Sequence, residues 1–180
     1  MADFPFMVPL SENFAMETPS NNPKAALLSG SRSDWEPCMR HCARQLDDLG
    51  IWYEGGVTSM HRTHNRALQY AELAYLRGIR VIIACAGGSA HLPGMMAAAT
   101  TLPVIAVAPK RFVEDVAAVH STIAMPPGVP AVLAGCGRSG AINAALYAAR
   151  ILALHDEDID DRLTTFIREQ TAGVPHTYFD

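Results

Sequence analysis

The chain has no apolar run long enough to cross a bilayer, no excess of positive charge, and only four cysteines in 180 residues. The first absence argues against a membrane span, which takes about 20 consecutive apolar residues as a helix. Residues 1–22, MADFPFMVPLSENFAMETPSNN, also lack the early positive charge and the apolar core of a secretory signal. A cytoplasmic protein with no membrane partner is the expectation. Lys and Arg number 14 against 18 Asp and Glu, giving a net charge of -4 and a pI near 5.9. No overall basic field exists to hold a polyanion, so nucleic acid is not an expected partner, although a small phosphate can be met locally.

Cys38, Cys42, Cys85 and Cys136 are scattered through a chain large enough to fold without staples. Free thiols in a reducing compartment are the default. Cys38, His41 and Cys42 (CMRHC) have the residue types of a zinc site, but no second ligand pair follows at zinc-site spacing. Cys38 and Cys42 fit the inner face of a helix, and no metal is expected.

What the chain does have is a full core: 49% of its residues are hydrophobic and 18% charged, which suits one compact α/β domain. That domain is expected over 23–172, after an extension at 1–22 and before a tail at 173–180. Short apolar runs alternate with helical patterns throughout. AALLSG (25–30) reads as a buried strand, followed by Trp35, Met39, Cys42, Ala43, Leu46 and Leu49 at helical spacing, with Gly50 at the end. IWYEGGVTS (51–59) is a second strand, and Ala67, Leu68, Ala71, Ala74 and Tyr75 place a helix from about Asn65 to its stop at Gly78. RVIIACA (80–86) is apolar without alternation, the mark of a central parallel strand covered on both faces.

A small-residue helix around Pro93 to Thr100 leads to PVIAVAP (103–109). AVLAG (131–135) then leads to a helix with Ile142, Ala145, Leu146, Ala149, Leu152 and Ala153 inward. Such alternation argues a doubly wound parallel sheet, which binds ligands beyond the carboxyl ends of its strands.

Three unusual stretches lie at those ends. GSRSDW (30–35) opens a helix with hydroxyls and an acid: Ser31 or Ser33 can hold phosphate beside free backbone N–H groups, and Asp34 can accept from a ribose hydroxyl. The plainer reading makes Ser33 or Asp34 a helix cap. SMHRTHN (59–65) offers Ser59, a forked phosphate contact from Arg62, and His61, which can move a proton near neutral pH; His64 is expected to face solvent. The alternative is a surface Arg and His beside a capping Thr63. AGGSAHLPGM (86–95) brings the close-approach backbone of Gly87 and Gly88, then Ser89, Ala90, His91 and Leu92. Here the alternative is a tight crossover with His91 as a core histidine. Taken together, the loops describe a pocket for a phosphorylated, ribose-bearing small molecule with a proton-transferring His.

A fourth stretch, GCGRSG (135–140), matches the GxGxxG pattern of dinucleotide binding. That fingerprint also wants an acid at the end of the next strand, about twenty residues on, where this chain reads as still helical at Asp156 and Glu157. A tight strand-to-helix turn is the preferred reading.

The order and spacing of GSRSDW, SMHRTHN, CAGGSAHLPGM, AMPPGVPA and GRSGAINAAL resemble the PurE family of purine biosynthesis, the class I carboxyaminoimidazole ribonucleotide mutases. The family pattern reads GSxSDW, SAHRTP, GAGGAAHLPGM, PVQS, QMPxGIPV and GxAGAxNAAL, and the resemblance runs from about Ala25 to Asp156. It implies a flavodoxin-like three-layer α/β fold, a homo-octamer with sites shared between subunits, and a reaction that needs neither metal nor organic cofactor. In that reaction the substrate's carbamate loses carbon dioxide, which is held while the aminoimidazole ring carbon attacks it.

Carried over by matching position, Ser31, Asp34 and Arg62 hold phosphate and ribose, with Ser33 and Ser59 beside them. His61 is the general acid/base, and Gly87, Gly88, Ser89, Ala90, His91 and Leu92 wall the carbon dioxide and ring. The chain departs from the pattern at Met60, His64, Cys85 and Ser89, and APKRFVEDVAAVHS (108–121) replaces PVQS and the GxDSL after it. Three functions follow: the mutase or carboxylase reaction, a paralogue acting on another phosphoribosyl heterocycle, and a non-catalytic nucleotide-binding subunit.

Overall fold

A computed structural model of the chain describes residues 24–175. The expected extension at 1–22 and residues 176–180 of the expected tail lie outside the described residues. Five strands form one parallel sheet: β1 (Ala25–Ser29), β2 (Tyr53–Val57), β3 (Val81–Cys85), β4 (Val104–Ala108) and β5 (Val132–Cys136), in the order β2-β1-β3-β4-β5. Every residue of β1, β3 and β4 is buried, as their unbroken apolar runs require, whereas the edge strands β2 and β5 are partly exposed. Leu27 stands between Gly55 of β2 and Ile83 of β3, so the register centres the sheet on its most apolar strands.

Helices cover both faces: α1 (Arg40–Asp48), α2 (His64–Ala74), α3 (His91–Ala99), α4 (Val116–Ile123), α5 (Gly137–Ala153) and α6 (Glu157–Ala172). Leu27, Val81, Ile83, Ile105 and Val107 meet α1, α5 and α6 on one face; Ala26, Leu28, Ile82 and Ala84 meet α2, α3 and α4 on the other. The molecule is therefore the doubly wound parallel sheet that the alternation of elements predicts, in the flavodoxin-like three-layer form that the family resemblance implies. Its strand order reverses between β1 and β3, and that switch point opens a crevice where the loops after β1, β2 and β3 meet.

Several local expectations need correction. Trp35 is 40% exposed, not inward. A 3-10 turn (Arg32–Asp34) and a π-helical turn (Trp35–Met39) precede α1, so the 3.6-residue spacing does not hold there and Trp35 is rotated out. On α2 and the 3-10 turn that follows it, Leu68 and Tyr75 face outward while Tyr70 is fully buried. On α5 the buried stripe is Ala141, Ala144, Ala145, Ala148 and Ala149; Ile142 and Leu146 are half-buried because small side chains let this helix approach the sheet closely.

The chain is not helical at Asp156. There Asp156 caps a separate helix, its carboxylate accepting the Ile159 N–H at 3.1 Å. Acids at Glu157, Asp158 and Asp160 in the first turn, which suit the positive end of the helix dipole, were the available signal for α6. Gly78 ends the α2 region as expected, in a left-handed conformation with φ of 93°.

The thiols pack as expected. Cys38 and Cys42 are fully buried, and Cys38 Sγ donates to the Gly137 carbonyl at 3.5 Å. Burial pushes the Cys42 thiol well above its ordinary value, which keeps it a neutral apolar filler. The GCGRSG stretch is the tight turn predicted: β5 ends at Cys136 and α5 begins at Gly137, with Gly135 and Gly137 both at positive φ.

Candidate active site

At the crevice the loops enclose a cavity of about 430 Å³. Eleven of the twelve residues singled out in the sequence line it: Ser31, Ser33, Asp34, Ser59, His61, Arg62, Gly87, Gly88, Ala90, His91 and Leu92. Ser89 does not; it is exposed, and its carbonyl accepts the Ser121 hydroxyl. A larger groove of about 660 Å³ runs along the edge strand β2 past Trp35, Trp52 and Val57, but it lacks the imidazoles and the Gly-Gly backbone.

In the loop after β1, the cap is Ser31 itself. Its hydroxyl accepts the Ser33 N–H at 3.3 Å and pairs with the Ser33 hydroxyl at 2.8 Å. Asp34 makes no side-chain cap bond and is left facing the cavity. Burial pushes its carboxyl above the ordinary value, with a smaller push from Asp115; hydrogen bonds from Ser31 and Ser33 and the charge of Lys110 oppose it.

The loop after β2 is closed on itself. Thr63 Oγ1 accepts the Ser59 N–H at 2.9 Å and donates to the Ser59 carbonyl at 3.0 Å, while Arg62 Nε lies 3.5 Å from Ser59 Oγ. This small ring leaves His61 and Arg62 at its exposed apex, and His64 is exposed as expected.

The loop after β3 carries the sharpest backbone feature. Gly88 has φ of 61°, and Ala90 has φ of 43°, the one described non-glycine residue at positive φ. Such a conformation costs an alanine on the order of 1–2 kcal/mol, so its surroundings must hold it. The turn carries the chain into α3 with His91 as the first helical residue, exposed rather than in the core. His91 Nδ1 then lies 2.8 Å from His61 Nε2, with the rings edge to face and their centroids 4.9 Å apart. At that distance one imidazole donates and the other accepts, so a single proton joins the two loops. Spacing alone did not foretell this pair.

Six lining residues were not singled out: Gly30, Met60 and Ala86, which flank the named stretches, and Pro109, Lys110 and Asp115, all from the segment after β4. The signal was topological, since the loop after every strand of a parallel sheet opens at the same edge. The departures elsewhere are mild. Cys85 is fully buried, its thiol raised first by a hydrogen bond to Cys38 and then by burial, so it fills space.

Comparison with known proteins places this geometry. The family model described as AIR carboxylase matches residues 24–173. The N5-carboxyaminoimidazole ribonucleotide mutase of Bacillus subtilis is 48% identical over 142 residues, covering 78% of this chain and 87% of that protein. Its namesake from Vibrio vulnificus is 45% identical over 152 residues, covering 84% of this chain and 94% of that protein. Among solved structures, Treponema denticola PurE superposes with a TM-score of 0.75 at 28% identity, covering 83% of this chain and 92% of that one. With the matched segment spanning all five strands and all three loops of the cavity, the chain belongs to the AIR carboxylase family.

Proposed function

We propose that the chain is an N5-carboxyaminoimidazole ribonucleotide mutase of purine biosynthesis, moving a carboxyl group from the exocyclic nitrogen of an aminoimidazole ribonucleotide to its ring carbon. The observation that carries this reading is the His61–His91 pair at 2.8 Å, set between two hydroxyl-rich loops and a Gly-Gly wall. Support comes from relatives 44–48% identical that bear this name.

In this reading Ser31, Ser33, Ser59 and Arg62 hold the phosphate, through hydroxyls and a forked guanidinium, and Asp34 accepts from the ribose. Gly87 and Gly88 let the planar ring lie against backbone, with Ala90, His91 and Leu92 closing the space around the released carbon dioxide. Ser89 contributes through its main chain. The C–N bond of the carbamate breaks to release carbon dioxide, and His61 protonates the nitrogen left behind. The ring carbon then attacks the held carbon dioxide, and His61 takes the proton that the new C–C bond displaces. Acid and base are thus restored after each turnover, and the isomerisation balances without oxidant or reductant. Excluding water matters because free carbon dioxide hydrates and is lost.

The reading extends to a cytoplasmic homo-octamer with shared sites. No described helix is long and apolar enough to cross a membrane. The single chain leaves Trp35, Trp52 and Val57 at least 39% exposed along one groove, an apolar patch that suits contact with further copies.

A labelling experiment tests the transfer. With substrate carrying 13C in its carbamate, in unlabelled bicarbonate, a mutase retains most of the label in the carboxylated ring product. Complete dilution of the label would mean that carbon dioxide exchanges with solvent, and that the chain works as a carboxylase of aminoimidazole ribonucleotide. Binding of the nucleotide without any product would point to a different phosphoribosyl heterocycle.

A further inference from the structure

We infer that Asp115 and Ser121, both from the 108–121 segment where the chain leaves the family pattern, are positioning residues that clamp the turn aiming His91 at His61. This rests on the proton-transfer reading of the site above.

The Gly88 N–H donates to both oxygens of the Asp115 carboxylate, at 3.2 and 3.1 Å. The same carboxylate caps α4, accepting the Ala118 N–H at 3.3 Å, so one nearly buried acid ties the turn to the helix start. From the second turn of α4, Ser121 donates its hydroxyl to the Ser89 carbonyl. The turn is therefore held at two successive residues, Gly88 and Ser89, and the next residue is the left-handed Ala90, followed at once by His91. A left-handed alanine persists only where its surroundings fix it, and these two bonds are what α4 supplies.

Gly87 shows how closely the acid is seated. A Cβ on that glycine would lie 2.9 Å from Asp115 Oδ2 and 3.2 Å from Pro109 Cγ, so the clamp fits only a glycine there. The hydrogen bonds run to backbone, not to the imidazoles, so Asp115 acts on the geometry of the pair.

Three variants of the full chain test this. Asp115→Ser keeps a good helix cap for α4 but is too short to reach the Gly88 amide. It should fold and assemble as the parent does, lower kcat by about a hundredfold, and leave KM within about threefold, since a misplacement near 1 Å costs that much. Asp115→Asn keeps an acceptor oxygen and should recover at least about tenfold of that loss, because the bond and not the charge is required. Ser121→Ala should lower kcat by about threefold to tenfold, again with KM little changed. Wild-type kcat in Asp115→Ser, a loss confined to KM, or Asp115→Asn no better than Asp115→Ser would each overturn the role.

Hydrogen exchange at the Gly88 amide gives a readout independent of turnover. Exchange at least about tenfold faster in Asp115→Ser supports the clamp, and an unchanged rate overturns it. If the parent protein converts no carboxyaminoimidazole ribonucleotide, the proposed reaction fails, while the exchange rates still decide whether Asp115 holds the turn.

Discussion

Gly140 lies so close to the β5 backbone that an added Cβ would be 2.3 Å from the Gly135 carbonyl carbon and 2.6 Å from its oxygen. Neither backbone can retreat without separating α5 from β5. Gly140→Ala is therefore expected to lower stability by about 3 kcal/mol, the upper end of overpacking costs. Gly94, within α3, offers a contrast. Its added Cβ would come 2.6 Å from Met125 Sδ, which sits near the end of a flexible side chain and can swing aside. Alanine also gains about 0.5–1 kcal/mol over glycine inside a helix. Gly94→Ala should thus stay within about 1 kcal/mol of the parent in urea unfolding, while Gly140→Ala unfolds at clearly lower denaturant. Equal effects of the two substitutions would refute the contact argument.

Among the elements, β2 is the weakest strand by sequence, broken by Gly55 and Gly56, yet it is fastened from beneath. Glu54 is 3% exposed, accepts the Tyr70 hydroxyl at 2.5 Å, and forms an ion pair with Arg77 just beyond α2. The guanidinium also lies 5.3 Å from the centre of the Tyr70 ring. Burial, reinforced by Glu54, pushes the Tyr70 phenol far above its ordinary value, so it stays a neutral donor. Removing one partner of such a pair leaves a buried charge uncompensated. Arg77→Ala should cost about 3 kcal/mol, and the double change Glu54→Gln, Arg77→Met should cost less than the single one. The comparison of urea midpoints decides: a double variant less stable than Arg77→Ala would show that the pair itself supplies stability. The element matters for function because β2 carries the loop that bears His61 and Arg62.

Across the whole molecule, the sheet and the edge that carries the cavity were legible in the sequence because both follow from apolar periodicity and topology. β1, β3 and β4 are unbroken runs, and each is followed by small or polar residues at the carboxyl end. What periodicity could not give was rotation. Trp35 turned outward because a tight 3-10 turn and a wider π-helical turn precede α1, and Ile142 gave way to Ala141 because closeness of helix and sheet outweighed bulk. Eleven cavity residues of the first three loops stood out through their unusual chemistry. Lys110 and Asp115 were missed because they sit in a stretch of ordinary charged residues, and only the folded chain brings Asp115 to the Gly88 amide. The His61–His91 bond lay beyond reach for a related reason: it depends on a left-handed Ala90, which no propensity favours.

The most direct measurement is the rate at which purified protein converts N5-carboxyaminoimidazole ribonucleotide to the ring-carboxylated product, for the parent and for His61→Asn, alongside nucleotide binding by calorimetry. The expected result is turnover by the parent, a loss of at least about a hundredfold in His61→Asn, and binding within about threefold, since a general acid/base contributes on that scale and the phosphate contacts are untouched. Turnover unchanged in His61→Asn, or a parent that binds the nucleotide and never converts it, would contradict the proton-shuttling role of His61.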